Sequence, residues 1–366
     1  MIRRAALVLL CATALPASAQ TQTEVAPVPA ALDALRTQLA AQPRPTAVFV
    51  LGDDGGFGAA AGLADPRTGR RLTVDTPMRI ASNTKTFVAA TVLRLWEDGR
   101  IELDAPIGPL IDSRLDALLR KDGYETAKIT VRNLLGHSAG LYDHGSDKRF
   151  EEAMHKEPGR RYTRESLIGL LTDWADPQSA PGTEFRYSDD GYILLGDIVE
   201  RITGKSLAAA VREQLGLDGL GLRSTYWEVY EKPRPGAPER ARQFLGETDV
   251  TGVDPSLDLF GGGGLVMSPR DLATFMKALF EGRVFKNPRT VEVMLTEGQH
   301  RDADKYRFGI FVRHTPAGDI YWHSGFWGTW AGYSPTTGVA VAGMTTRQDG
   351  FKAMMPIVND LFAPKK

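Results

Sequence analysis

Ser82 and Lys85 stand three residues apart in Ser82-Asn83-Thr84-Lys85, at the head of an apolar-striped stretch. Phe87, Val88, Thr91, Val92, Leu95 and Trp96 recur there at helical spacing. On a helix, residues i and i+3 are neighbours. Ser82 is therefore expected at the start of the helix, with Lys85 one turn inside on the same face. A serine hydroxyl becomes a nucleophile only when a base takes its proton. A desolvated lysine can be that base, because burial disfavours its charged form. The helix N-terminus also favours negative charge developing near Ser82. Alone, the same four residues equally describe an N-cap serine and a solvated lysine.

Two later clusters carry compatible chemistry. Tyr187-Ser188-Asp189 precedes a helical pattern over Gly191 to Ile202, and His323-Ser324-Gly325 closes an expected strand. Alone, the first reads as an Asx-type cap and the second as a turn. A competing motif, Gly136-His137-Ser138-Ala139-Gly140, matches the G-x-S-x-G nucleophile elbow. That elbow needs a strand before it and a helix after it. Val131 to Leu135 instead reads as a short helix and Leu141 to Gly145 as a loop, so Ser138 is expected not to be the nucleophile. His137, His144, His155, His300 and His314 show no metal-ligand spacing, and no metal or cofactor is expected.

The elements around these clusters suggest how they meet. A short helix over Ala30 to Ala41 precedes a strand, Ala47 to Leu51, a turn at Asp53-Asp54-Gly55-Gly56 and a returning strand, Phe57 to Leu63. From Ile101 to Phe260 the pattern is mostly helices and loops, including Arg164 to Thr172 and Leu207 to Leu215, with a proline-rich loop over Glu231 to Glu239. Gly261 to Gly264 leads into a helix begun by Ser268-Pro269. Four strands follow, Arg307 to His314, Asp319 to His323, Thr329 to Ser334 and Gly338 to Thr345, and then a helix, Phe351 to Leu361. The fold class is α+β: the two ends share one antiparallel sheet flanked by helices, and a mostly helical part is inserted between them. The expected division is residues 20–81 with 262–366 as the sheet domain and 82–261 as the helical domain.

Taken in order, the three clusters resemble the serine β-lactamase and penicillin-binding family, whose pattern is S-x-x-K, Y-x-N and K/H-T/S-G. The nearest branch holds class C β-lactamases, D-alanyl-D-alanine carboxypeptidases, D-amino-acid amidases and family VIII esterases. The resemblance spans Thr46 to Asn359 and includes Leu134 to Leu141 and Gly262 to Ser268. It implies that Ser82 attacks an acyl carbon while Lys85 and Tyr187 share its proton and pass one to the leaving group. It also implies that His323 projects from the edge strand to hold Tyr187, and that the backbone N–H groups of Ser82 and Phe326 form an oxyanion hole. Asp189, Ser324, Gly325, Trp327 and Trp330 would contact substrate.

Two positions depart from that pattern. Asp189 replaces the usual asparagine; facing Lys85, it would hold the lysine protonated and leave Tyr187 as main proton acceptor, or join a modified network. Phe326 puts a ring where penicillin-recognising members often have a small or hydroxylic residue. With Trp322, Trp327 and Trp330 nearby, it suggests an aromatic mouth for an apolar acyl or alcohol group. The expected activity is acyl-enzyme hydrolysis of an ester or amide. The alternatives are D,D-carboxypeptidase or β-lactamase action, or a slow-turnover penicillin-binding module.

Composition narrows the partners. The 366-residue chain carries 44 basic and 45 acidic side chains, a balance that points to neither nucleic acid nor an anionic membrane surface as partner. Arg3 and Arg4, the apolar run Ala5 to Leu15 and Ala17-Ser18-Ala19 read as a secretory signal over residues 1–19, cleaved after Ala19, with periplasmic or secreted localisation. Cys11, the one cysteine, lies within it. No later stretch is long and apolar enough to span a membrane. The expected partner is a small-molecule or peptide acyl substrate.

Overall fold

The computed structural model describes residues 28–362, so the leader expected over residues 1–19 lies outside the described residues. The elements that build the site are, in chain order, α1 (Val28–Ala40), β1 (Thr46–Gly52), β2 (Gly55–Ala61), α2 (Thr84–Glu97), α3 (Val131–Leu135), α4 (Asp189–Thr203), α5 (Pro269–Phe280), β3 (Tyr306–Arg307), β4 (Ile310–Arg313), β5 (Ile320–Gly325), β6 (Thr329–Ser334), β7 (Val339–Thr345) and α6 (Phe351–Asp360). Further helices, Ser113–Lys121, Lys148–Lys156, Arg164–Trp174 and Leu207–Gln214, lie between α2 and α5.

Seven strands form one antiparallel sheet in the order β3-β4-β5-β6-β7-β1-β2. The first strand of the chain thus enters beside the last, as the pattern at the two ends implied. Its side chains alternate: Val48 and Val50 pack with Leu35 and Leu39 of α1 and Met354 and Val358 of α6, while Ala47 and Phe49 join the larger core beneath α5 and α2. Both faces are therefore covered, which explains the unbroken apolar run in β1.

Helix α2 sits inside that larger core. Phe87 stacks on Phe275 of α5 at 3.5 Å between ring centroids. Nearly every residue from Thr84 to Leu95 is buried, including Lys85. The stripe visible in the sequence underestimates this: the helix is packed on all sides rather than on one.

Two expected elements change shape. The strand over Arg307 to His314 is a hairpin, because Phe308-Gly309 turns and pairs Arg307 with Ile310. Gly309 has φ +75°, and a β-carbon there would meet Ala89 of α2 at 2.5 Å. The turn so tucked against α2 accepts a 2.7 Å bond from the Thr86 hydroxyl. Helix α4 starts at Asp189 rather than Gly191, with Ser188 as N-cap, so Asp189 and Asp190 fill its first turn. Carboxylates are favoured there by the helix dipole.

Candidate active site

Ser82 lies in a single 3-10 turn, Ala81–Asn83, immediately before α2. Ala81 adopts φ +44°, a left-handed conformation that costs a non-glycine residue and persists where packing enforces it. The enforcement is visible. Gly325 comes so close that a β-carbon on it would lie 2.1 Å from the Ile80 carbonyl. The Thr329 hydroxyl donates to the same carbonyl at 3.1 Å. The Asn83 amide donates to the Ile80 carbonyl at 3.0 Å and to Thr329 Oγ1 at 2.9 Å. Sheet and helix thereby fix the turn that presents Ser82.

One helical turn later, Lys85 Nζ donates to Ser82 Oγ at 3.0 Å, to Asp189 Oδ1 at 2.5 Å and to the Gly262 carbonyl at 2.7 Å. Three acceptors match the three protons of an ammonium. Burial opposes that charge, but Asp189, then Tyr187 and Asp258, outweigh it, so Lys85 titrates above the ordinary lysine range. The converse holds for Asp189: burial pushes it up, the Lys85 ammonium pulls harder, and the carboxyl sits below its ordinary range. Tyr187 brings its ring centroid within 5.2 Å of Lys85 Nζ. Burial raises its phenol above the ordinary range, against the opposing pull of Lys85. At rest the lysine is charged and the phenol is protonated.

More acid surrounds this dyad. Asp143 Oδ1 accepts a 2.9 Å bond from the Asp189 backbone N–H, and burial together with Asp189 pushes its carboxyl up to about 7. Asp258 is pushed to about 7 in the same way, by burial and then Asp189. His144 Nδ1 lies 2.8 Å from both carboxylate oxygens of Asp190. Burial disfavours its charge, but Asp190 prevails and raises it to about 9. None of Asp143, His144, Asp190 or Asp258 belonged to the expected site. They come from three separate segments and carry no motif; the one available signal was the run Asp189-Asp190 at a helix start.

The hydroxyl opens into a cleft of about 350 Å³ lined by Tyr187, Asp189, Asp143, Asp258, Phe326 and Trp327 among others. Asp147 and Glu151 also line it, and no lysine or arginine does among the described residues. Phe326 is 42% exposed at the rim and packs edge-on against buried Trp327.

The third cluster differs from expectation in several respects. β5 lies between β4 and β6, so His323 is not on an edge strand. Its Nε2 lies 3.1 Å from the Tyr306 hydroxyl and its Nδ1 2.8 Å from the Ser324 carbonyl, with its ring 6.3 Å from that of Tyr187. A carbonyl only accepts, so Nδ1 carries the proton and Nε2 accepts from Tyr306. Burial, then the Lys85 charge, lowers His323 to about 3 and keeps it neutral. His323 therefore holds Tyr306, a residue that carried no motif, rather than Tyr187. Ser324 and Trp330 are opposite one another in register, and directly paired residues share a face. Trp330 is buried in the core under α1 and α6. Strand alternation thus turns both away from Ser82, and neither lines the cleft. Gly325 approaches Ile80 closely and is not among the residues that line the cleft.

Ser138 is buried, accepts a 3.2 Å bond from the Asn133 amide, and follows helix α3 rather than a strand. The nucleophile-elbow geometry is absent there.

This antiparallel sheet, with a serine and a lysine one turn apart at the head of a buried helix, defines a β-lactamase/transpeptidase-fold protein. A Beta-lactamase family model matches residues 32–360, and the chain belongs to that family. It is 34% identical over 193 residues to Esterase EstB of Burkholderia gladioli, covering 50% of this chain and 48% of that one. It is 23% identical over 259 residues to a Teichoic acid D-alanine hydrolase of Staphylococcus aureus, covering 69% of this chain and 58% of the other. The chain thus spans about half the length of these curated relatives. Among solved structures, a D-stereospecific amidohydrolase from Streptomyces sp. superposes with TM-score 0.73 at 25% identity, covering 90% of this chain and 98% of that one.

Proposed function

We propose that the chain is an exported serine hydrolase that cleaves an ester or amide through an acyl-enzyme on Ser82. The observation that carries this reading is the 3.0 Å contact between Lys85 Nζ and Ser82 Oγ at the wall of a cleft that also presents Tyr187. Lys85, charged at rest, must first give up the proton that Asp189 stabilises; in that minor neutral form it takes the proton of Ser82 as Oγ attacks the acyl carbon and passes one on to Tyr187. Tyr187 returns a proton to the leaving group, and water then releases the acyl group by the reverse route. The backbone N–H groups of Ser82 and Phe326 serve as oxyanion donors, each worth about 2.7–4 kcal/mol of barrier where such donors have been removed.

The lining selects among substrates. Phe326, Trp327, Phe150, Met154 and Leu257 offer apolar surface, which suits an apolar acyl or alcohol group. Carboxylates without a lysine or arginine among them repel an anion. Both features favour a neutral or cationic ester or amide over a β-lactam or a D,D-peptide, whose carboxylates need a cation. The names of the similar proteins, an esterase, a D-alanine hydrolase and an amidohydrolase, are consistent with that choice.

The test is turnover of p-nitrophenyl acetate and butyrate beside a chromogenic cephalosporin and a D-Ala-D-Ala peptide, for wild type and Ser82→Ala. Steady ester hydrolysis that vanishes in Ser82→Ala, with a trapped acyl group mapping to Ser82, is expected. Activity surviving in Ser82→Ala would refute the assignment. A burst equal to enzyme concentration with no steady rate would show an acylating binder instead.

A further inference from the structure

We infer that His137, from the motif that does not supply the nucleophile, is the positioning residue that holds Tyr187 against Ser82 and Lys85. The inference rests on the reading of Ser82 and Tyr187 given above. His137 touches three consecutive residues of the Tyr187 segment. Its carbonyl accepts from the Arg186 N–H at 2.6 Å, and its Nδ1 accepts from the Ser188 N–H at 3.1 Å. Between those two bonds its ring lies on the Tyr187 ring, with centroids 4.2 Å apart and planes inclined by 35°. A side chain that pins the backbone on both sides of a tyrosine and backs its ring leaves that phenol little freedom.

The chemistry of the ring agrees. Nδ1 is an acceptor, so the proton of the neutral ring is on Nε2. That N–H is buried and has no hydrogen-bond partner among the described residues. The ring sits among Tyr187, Tyr192 at 5.1 Å and Tyr306 at 4.7 Å. Burial, then the Lys85 charge, depresses its basicity well below the ordinary range, so it stays neutral and adds no charge beside Lys85. His137 also takes φ +53°, a left-handed conformation that histidine and asparagine adopt more readily than most residues. A backbone held in that conformation, with an orphaned donor kept inside, serves placement of the ring rather than local stability.

The experiment reads single-turnover acylation by p-nitrophenyl butyrate, so that variants too slow to turn over are still measured. His137→Ala is expected to slow acylation about tenfold or more with KM within about twofold, because misplacing a reacting group by about 1 Å can cost about 10²-fold. In a Tyr187→Phe background the same substitution should change the rate by less than about twofold, since its effect passes through the missing hydroxyl. His137→Asn tolerates the left-handed backbone and keeps an acceptor near Nδ1 while removing the ring. It carries the same two-background test if the alanine variant does not fold, with a smaller loss expected. Equal losses with and without the Tyr187 hydroxyl, or acylation unchanged in both His137 variants, would overturn the inference. Ser82→Ala separates the levels: if it stays active the catalytic reading fails, whereas if it is inert and the His137 variants act normally, only the positioning role fails.

Discussion

Asp189→Asn removes the carboxylate that lies 2.5 Å from a fully buried lysine, and its consequences can be worked through. Breaking one side of a buried ion pair costs about 3–5 kcal/mol if the remaining charge stays. At about 1.36 kcal/mol per unit, that equals about 2–4 units of lysine pKa. Lys85 can escape the penalty by giving up its proton, so the substitution converts a charged resting lysine into one that is neutral closer to physiological pH. The fold tolerates an amide at this site, because its Oδ1 can still accept from Lys85 Nζ. If Lys85 must be neutral to accept the Ser82 proton, the acidic limb of kcat/KM moves down by at least about two pH units.

The stability contributions also differ. In the wild type the raised Lys85 adds stability that is present below its unfolded value, about 10.5, and is lost only above it. In the variant the raised value falls by about 2–4 units, so the stability Lys85 adds below about 10.5 shrinks. Profiles of p-nitrophenyl butyrate hydrolysis from about pH 5 to about pH 10, with melts at each pH, read both effects. Superimposable rate profiles for wild type and variant would remove the Lys85–Asp189 pair from the proton path and refute this reasoning.

Two further substitutions probe the surrounding charges. Asp258→Asn should leave the melting temperature unchanged near pH 3 and raise it increasingly from about pH 4 to about pH 7, because burial and Asp189 push that carboxyl from 3.8 up to about 7, so the unfolded chain ionises first across that window; equal shifts at about pH 3 and about pH 7 contradict this. His144→Asn should destabilise most near pH 6. The raised imidazole contributes stability fully below about 6.5 and loses it as pH passes about 9, with a ceiling of about 3 kcal/mol that urea midpoints at each pH would show.

What was legible in the sequence was local or periodic. Ser82 and Lys85 are one helical turn apart, so their meeting follows from helix geometry alone. The end-to-end sheet was legible because alternating strands at both termini needed partners. The direction of His323 was not, since it depends on Tyr306 across a hairpin whose turn at Gly309 is set by contact with α2. Trp330 seemed to join an aromatic mouth on grounds of nearness along the chain, but period-two alternation puts it under α1 and α6. Asp143 and Asp258 converge on Lys85 from distant loops, and nothing in their spacing announces it.

Those acids explain how the chain accommodates its departure at position 189. Replacing an amide by a carboxylate adds a negative charge beside the nucleophile, where unpaired charge is costly. Lys85 answers it directly, and His144, raised to about 9, answers Asp190 one residue on. The two remaining carboxyls, Asp143 and Asp258, are pushed to about 7 and hold protons below neutrality. Below about pH 7 the buried set is therefore close to balanced, and above it two further negative charges develop at the cleft wall. That rise makes the cleft more hostile to anions and more attractive to cations, and the added negative charge holds the proton on Lys85 more firmly. Proton transfer and substrate choice are thus coupled through one group of side chains, and an asparagine at 189 would loosen both together.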